Sequence, residues 1–476
     1  MKNNRKKGTK KRAAIWFCGT GVVLGLICIL CLIVLRPQEP PKALRFDCDY
    51  RLDMQIDPIE GTFRYGEQAT VYNLGADETS ELYFNLYANR ELPEGEKVNV
   101  VSVSDQNGNA LSFQILNEDC LIRVSLPEPL LPETNATLCF QCEAVLSEMR
   151  ATFGIARDGE IHLPSPHVQL AVYDEKGWDT APVSENGDGR YSAVGDFSIR
   201  ITVPTQYEVA CIGKETGREN RDVDTIYQFE ALNRRDIMIA LYTDYRMLER
   251  QVGNTTILGY FNENRVSEAV SESAMDAAAF ALSYYNDIYM EYPFDTLVLA
   301  GAAWATKTSL SMEYSGFVTV SMSDRVDLLN VYHELAHQWF YFLVGNNEDE
   351  EAWLDESFAC FSANLCRAAA GDVKTAENWW DFYQEIAGRY PGVKLNIPTD
   401  EMKNSYMDLC YHRGVYFLKE LMDTMGQEIF LEAVSDYCNQ YLYRNASTED
   451  FLNVLACHGE ADISGILEEY LDVEIN

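Results

Sequence analysis

Positive charge is scarce in this chain of 476 residues: 38 Lys and Arg stand against 74 Asp and Glu. What positive charge there is clusters at the start. Lys2, Arg5, Lys6, Lys7, Lys10, Lys11 and Arg12 precede Arg36 with no acid among them, so the rest of the chain carries about −44. A surface of that sign repels nucleic acid and anionic lipid, which argues against a nucleic-acid partner. It keeps a protein soluble and biases any cleft toward cationic ligands. Cysteine is thin as well. Of thirteen, Cys18, Cys28 and Cys31 fall in one apolar run, and the other ten are too dispersed for a disulfide framework. Cys139-Phe140-Gln141-Cys142 has C-x-x-C spacing, but it lacks a second pair and sits in an alternating, strand-like run; it reads as ordinary strand positions. There are only six histidines, so two of them at a meaningful spacing carry information. Internal repeats and low-complexity tracts are absent. What remains is 47% hydrophobic and 24% charged, an ordinary globular composition, and long enough for two or three domains.

Ala13 to Leu35 is an uncharged, mostly apolar run, enough helix to cross a hydrocarbon core of ~30 Å. The basic residues before it favour a cytoplasmic N-terminus. The run exceeds the core of a typical cleaved signal peptide, and no small-x-small site precedes Arg36-Pro37-Gln38-Glu39-Pro40-Pro41. The reading is therefore a basic cytoplasmic tail (1–12), a single transmembrane anchor (13–35) and a Pro-rich stalk (36–43), with the remainder outside the cell membrane. Sequons stand at Asn135, Asn254 and Asn445.

From about Leu44 to Tyr245 short alternating strands are punctuated by turns such as Asn107-Gly108-Asn109 and Gly187-Asp188-Gly189, which predicts an all-β domain over 44–250. The period then changes. Val266, Val270, Ala274, Ala277, Ala281, Tyr284 and Ile288 recur at helical spacing. A strand is expected over Thr296 to Ala300 and another, edge-like, over Gly316 to Val320. A second helix is expected from near Asp324 to about Leu343, with Gly345 as its stop. After Trp353 the pattern is almost wholly helical. The fold class is α+β multidomain, with a second domain over 251–476.

His333-Glu334-Leu335-Ala336-His337 falls inside the predicted second helix. Residues four apart share a helix face, so both imidazoles can converge on one metal ion, and Glu334 can take a proton from a water in the same pocket. A catalytic zinc keeps three protein ligands and one open position. Glu356, 19 residues after His337 within Trp353-Leu354-Asp355-Glu356-Ser357-Phe358-Ala359, is the candidate third ligand: a carboxylate flanked by apolar residues needs a charge partner.

These segments resemble the aminopeptidase N family of gluzincin zinc peptidases, whose pattern is H-E-x-x-H, 18 residues, then E within W-L-N-E-G-F-A. Asp355 and Ser357 stand where the family has Asn and Gly. Leu310-Ser311-Met312-Glu313-Tyr314 is similar to the family's G-x-M-E-N, and Tyr411-His412-Arg413-Gly414 to its Y-x-K-G. Tyr50 to Tyr65, Asp196 to Pro204 and Tyr292-Pro293-Phe294 resemble its N-terminal domain and the entry to its catalytic domain. The resemblance covers roughly residues 48 to 425. It implies a saddle-like β domain followed by a thermolysin-like catalytic domain, one zinc per chain on His333, His337 and Glu356, and Glu334 as general base. It further implies Tyr411 as a donor to the oxyanion and Glu313 as the carboxylate that holds the substrate's α-ammonium. The large C-terminal helical domain of longer members is expected to be missing. The expected activity is a zinc-dependent aminopeptidase acting on peptides outside the membrane. The alternatives are a zinc endopeptidase of the same fold and a non-catalytic binding or regulatory module.

Overall fold

Phe46, Cys48, Tyr50, Leu52, Met54 and Ile56 are buried while the residues between them are not, so the first strand (Phe46–Asp57) presents one apolar face, as strict alternation dictates. The computed structural model describes residues 45–473, apart from 91, 151, 185 and 303–310. That first strand is the centre of a seven-stranded sheet. Its edge-to-edge order is Lys214–Asn220, Asp224–Arg234, Gly195–Pro204, Phe46–Asp57, Thr62–Asn73, Asn135–Val145 and Asn99–Asp105. Smaller sheets pack on it around a core that includes Leu52, Phe63, Phe84, Phe140, Ile201 and Leu241. Cys139 and Cys142 are ordinary positions on Asn135–Val145, three apart and therefore on opposite faces. The described cysteines are all free thiols.

A second sheet begins at Tyr245. Its order is Tyr245–Val252, Thr255–Asn262, Thr296–Ala302, Phe317–Ser321, Met312–Tyr314. Thr255–Asn262 and Thr296–Ala302 run parallel and are joined by the helix Glu268–Ile288, whose first turn is capped by the Ser267 side chain accepting from the Val270 N–H. The strand at Phe317–Ser321 is inner rather than an edge: every residue in it is buried, and Met312–Tyr314 covers its far side in antiparallel register. An unbroken apolar run is the mark of a strand buried on both faces.

The second predicted helix is shorter than its pattern suggested. It spans Leu328–Ala336, begins where Asp327 accepts a hydrogen bond from the Leu329 N–H, and ends with His337 at the C-cap. Trp339 to Val344 are all buried, so they show the apolar content of a helix without its period. Their backbone leaves the helix through Tyr341, at φ 127°, a conformation rare for a residue with a side chain. Gly345 is no helix stop; it pairs with Asn445 in a short parallel bridge, and a Cβ there would meet the Arg235 guanidinium. Beyond it lie Trp353–Ala369, Val373–Ala387, Gly414–Met425, Gln427–Gln440 and Thr448–Leu455, helices around a second core with Trp339, Trp353, Phe358, Phe417 and Phe451. Arg235 is wholly buried and donates to the Phe342, Ser192 and Arg444 carbonyls and to Asn445 Oδ1. The amide of the Asn445 sequon is thus engaged inside the fold.

Among the described residues no helix is long and apolar enough to cross a membrane. The expected tail, anchor and stalk (1–43) lie outside the described residues.

Candidate metal centre

Two helices and an edge hairpin meet at one point. The helix Leu328–Ala336 brings His333, Glu334 and, at its cap, His337; the first turn of Trp353–Ala369 brings Glu356. His333 Nε2 and His337 Nε2 are 3.0 Å apart, and Glu356 Oε2 lies 3.4 Å and 3.5 Å from them. Among the described residues this is the one group of three such ligand atoms within 4.8 Å of one another. Ligands bound at ~2.0–2.2 Å in a tetrahedron stand about 3.4 Å apart, so the spacing fits zinc.

The hydrogen bonds around the triangle point the same way. His337 Nδ1 contacts the Phe340 carbonyl at 3.0 Å, so Nδ1 donates there and Nε2 is the nitrogen turned to the triangle. Glu356 Oε2 is buried and has no hydrogen-bond partner among the described residues. An imidazole pair turned nitrogen to nitrogen beside an orphaned carboxylate oxygen needs positive charge between them. Burial opposes charge at both imidazoles, but Cys360 and Glu356 outweigh it at His333, raising it well above the usual value. Glu313 and Glu356 do the same at His337, to about 9. Burial would raise Glu356 too, yet the His333 and His337 imidazoles beside it hold it well below the carboxylate range. The pocket is built to hold a cation.

Three further groups support the ligands. Cys360 Sγ lies 3.5 Å from His333 Nδ1. The Glu356 N–H donates to Asp355 Oδ1 at 2.7 Å, and burial, then the neighbouring Glu356 charge, push Asp355 up to about 8. The Tyr411 hydroxyl donates a short hydrogen bond to Glu356 Oε1. Tyr411 sits in a π-helical turn, Leu409–Arg413, a wide turn of the kind found at functional sites. Arg413 anchors that turn by donating to the carbonyls of Ala387, Val393 and Glu469.

Glu334 is 5% exposed, and its Oε2 has no hydrogen-bond partner among the described residues. Burial pushes it up to about 7 against the pull of His333 and His337. Glu313 is equally buried, on the edge strand Met312–Tyr314. Gln338, the residue after His337, clamps that hairpin: its Nε2 donates to the Tyr314 carbonyl and its Oε1 accepts from the Gly316 N–H. Gly316, at φ 79°, makes the tight turn. The structure therefore brings all six predicted site residues to one locality. Leu310, the bulky neighbour expected near Glu313, lies outside the described residues.

Sequence reasoning missed a second layer. Arg190 donates to the Glu313 carbonyl (3.0 Å) and to the Tyr341 hydroxyl (3.3 Å), and stands 3.7 Å from both Glu313 Oε1 and Asp236 Oδ2. Tyr341 in turn donates to Asp236 Oδ2, and Glu348 Oε2 accepts from the Arg190 N–H. Asp188, two residues before Arg190, acts electrostatically on Glu313, Glu334 and Tyr411. The Gly187-Asp188-Gly189 turn was visible in the sequence; nothing there said that it faces this centre.

Residues 273–470 match the profile of the Peptidase family M1 domain. The alanine/arginine aminopeptidase of Saccharomyces cerevisiae is 27% identical over 220 residues, 42% of this chain and 26% of its own. Aminopeptidase N of Streptomyces lividans is 24% identical over 267 residues, 49% of this chain and 30% of its own. The matched segments cover less than a third of the length of these curated relatives. An M1 zinc metallopeptidase of Deinococcus radiodurans, solved with a Tyr-Ser-Ala substrate, superposes with a TM-score of 0.69 at 18% identity, over 90% of this chain and 95% of that one. At that identity the likeness shows the fold alone: the two-domain fold of that metallopeptidase, with an N-terminal β-sheet domain and a helical C-terminal part.

Proposed function

We propose, from a chain that is a Peptidase family M1 member of the aminopeptidase N type through residues 273–470, that it removes N-terminal residues from peptides with one zinc ion per chain. The observation that carries the reading is the triangle of His333 Nε2, His337 Nε2 and Glu356 Oε2, all within 3.5 Å, with the buried, unpartnered Glu334 carboxylate on the same helix.

His333, His337 and Glu356 would hold the zinc, which supplies Lewis acidity toward a carbonyl oxygen and a water. Every other step belongs to side chains. Glu334 accepts the proton of the attacking water and returns it to the leaving amine. The Tyr411 hydroxyl turns from Glu356 to the carbonyl oxygen of the scissile bond as that oxygen gains charge. Glu313 pairs with the substrate's α-ammonium, so only a free N-terminus is held in register. Its carboxylate accepts no hydrogen bond from a described residue, and Arg190 lies beside it as an ion partner at 3.7 Å. Burial, then the Asp188 charge, raises this carboxyl well above its usual range; His337 and Arg190 pull it back toward the charged form, and a bound ammonium would add to their pull.

The anchor and its orientation belong to the same proposal. The seven basic residues before Ala13 support a cytoplasmic N-terminus, and the acidic remainder suits an outside location. Protease added to intact cells should release or degrade the acidic part; a fully protected one contradicts the orientation. We also divide the chain near residue 250 into the β domain and the peptidase domain.

The function is tested with one peptide in two forms, free and N-acetylated. An aminopeptidase releases the first residue of the free peptide and leaves the acetylated one intact. Cleavage of both at the same internal bond makes the enzyme an endopeptidase.

A further inference from the structure

Tyr411 is held by an element with no strong reason of its own to sit where it does. The π-helical turn Leu409–Arg413 lies between a three-residue helix and Gly414–Met425, and its wide backbone is less stable than α-helix. One side chain reaches it from the helix that carries Glu356. The Ser357 hydroxyl, wholly buried, donates to the Cys410 carbonyl at 2.6 Å. Cys410 directly precedes Tyr411, and Ser357 directly follows Glu356. The same hydroxyl faces Gly414: a Cβ there would fall 2.0 Å from Ser357 Oγ and 2.9 Å from Ser357 Cβ. The two helices thus approach as closely as a missing side chain permits, and a serine oxygen fills the gap. A glycine at 357 would leave the Cys410 carbonyl without that donor.

We infer that Ser357 is a positioning residue: its hydrogen bond to the Cys410 carbonyl fixes the turn that presents the Tyr411 hydroxyl at Glu356. The inference rests on the role proposed above for Tyr411. A buried O–H···O bond of 2.6 Å is near the short end for its type, and breaking it frees a buried carbonyl as well as the turn. The hydroxyl then reaches its target in only part of the population. A displacement of about 1 Å at a reacting centre is enough for a loss of up to ~10²-fold.

The test is a double-mutant cycle on the full chain with zinc bound, joining Ser357→Ala to Tyr411→Phe. Ser357→Ala should lower kcat about 10-fold or more with KM and zinc content little changed. In the Tyr411→Phe background the same change should cost less than about twofold, because the group it positions is already gone. Equal losses in both backgrounds overturn the inference and leave the role of Tyr411 standing. A wild-type kcat in Tyr411→Phe overturns the role of Tyr411 and this inference with it. A crystal structure of Ser357→Ala gives the reading without turnover: the Tyr411 hydroxyl should be displaced from Glu356 Oε1, and an unmoved hydroxyl contradicts us. Ser357→Gly deletes the same donor with less bulk and is the second variant. If neither variant folds with zinc bound, the hydroxyl serves the fold rather than Tyr411, and the inference fails.

Discussion

Replacing Glu313 with alanine isolates the step that separates an exopeptidase from an endopeptidase. Glu313 is 5% exposed, and among the described residues its ion partner is Arg190 at 3.7 Å. In the variant, a substrate ammonium entering the pocket loses its counter-ion and meets Arg190, which keeps Asp236 at 3.7 Å. Truncating one member of a buried charge pair costs 2–5 kcal/mol, and the remaining cation places the loss toward the top of that range. At ~1.4 kcal/mol per decade this is about 30- to 4,000-fold in kcat/KM. Glu313→Gln keeps the shape and one acceptor and should fall between. The assay is kcat/KM on a free tripeptide, with zinc content measured in parallel to show that His333, His337 and Glu356 still bind metal. A loss below about threefold would refute the reasoning, because a carboxylate this buried cannot face an ammonium and contribute so little.

Three other outcomes follow from the same geometry. Cys360→Ala removes the group 3.5 Å from His333 Nδ1 and should weaken zinc binding about tenfold in competition with a chromophoric chelator; an unchanged Kd would show that the contact orients nothing. Burial lowers His162 to about 4 and His167 to about 3, whereas the unfolded chain titrates near 6.5. Between those values the unfolded state binds more protons, so the contribution is complete above pH ~6.5 and lost as pH falls, by about 3 kcal/mol at pH 4 for His162 alone. Chelator-treated His162→Gln should have a flatter Tm-versus-pH curve than chelator-treated wild type, and parallel curves would contradict the cause given. Asn445→Ala removes one of the four acceptors of the buried Arg235 and should lower Tm by several degrees, whereas an unaltered Tm would make that contact redundant.

The candidate zinc ligands were legible in the sequence because their geometry is local. Four residues on a helix fix the distance between His333 and His337, and the apolar flanks of Glu356 announce a buried carboxylate. Glu313 and Tyr411 came only through resemblance: a glutamate on a three-residue strand and a tyrosine among 28 carry no local signal. Two errors have the same origin. Trp339 to Val344 lengthened the predicted helix, and Phe317–Ser321 was taken for an edge, because a fully buried run has no amphipathic period to read. Arg190, Asp188, Asp236 and Tyr341 were invisible for a different reason. Their partners lie 46 residues away or more, and a Gly-Asp-Gly turn looks the same whether it faces solvent or a metal centre.

The central claim is that His333, His337 and Glu356 hold zinc while Glu334 moves the proton. Elemental analysis and turnover, measured together on wild type and Glu334→Gln, test it most directly. One zinc per chain in both proteins, with turnover reduced about 10²–10⁴-fold in the variant, is the expected result. A wild type that binds no zinc after reconstitution, or a Glu334→Gln protein that keeps its turnover, would contradict it.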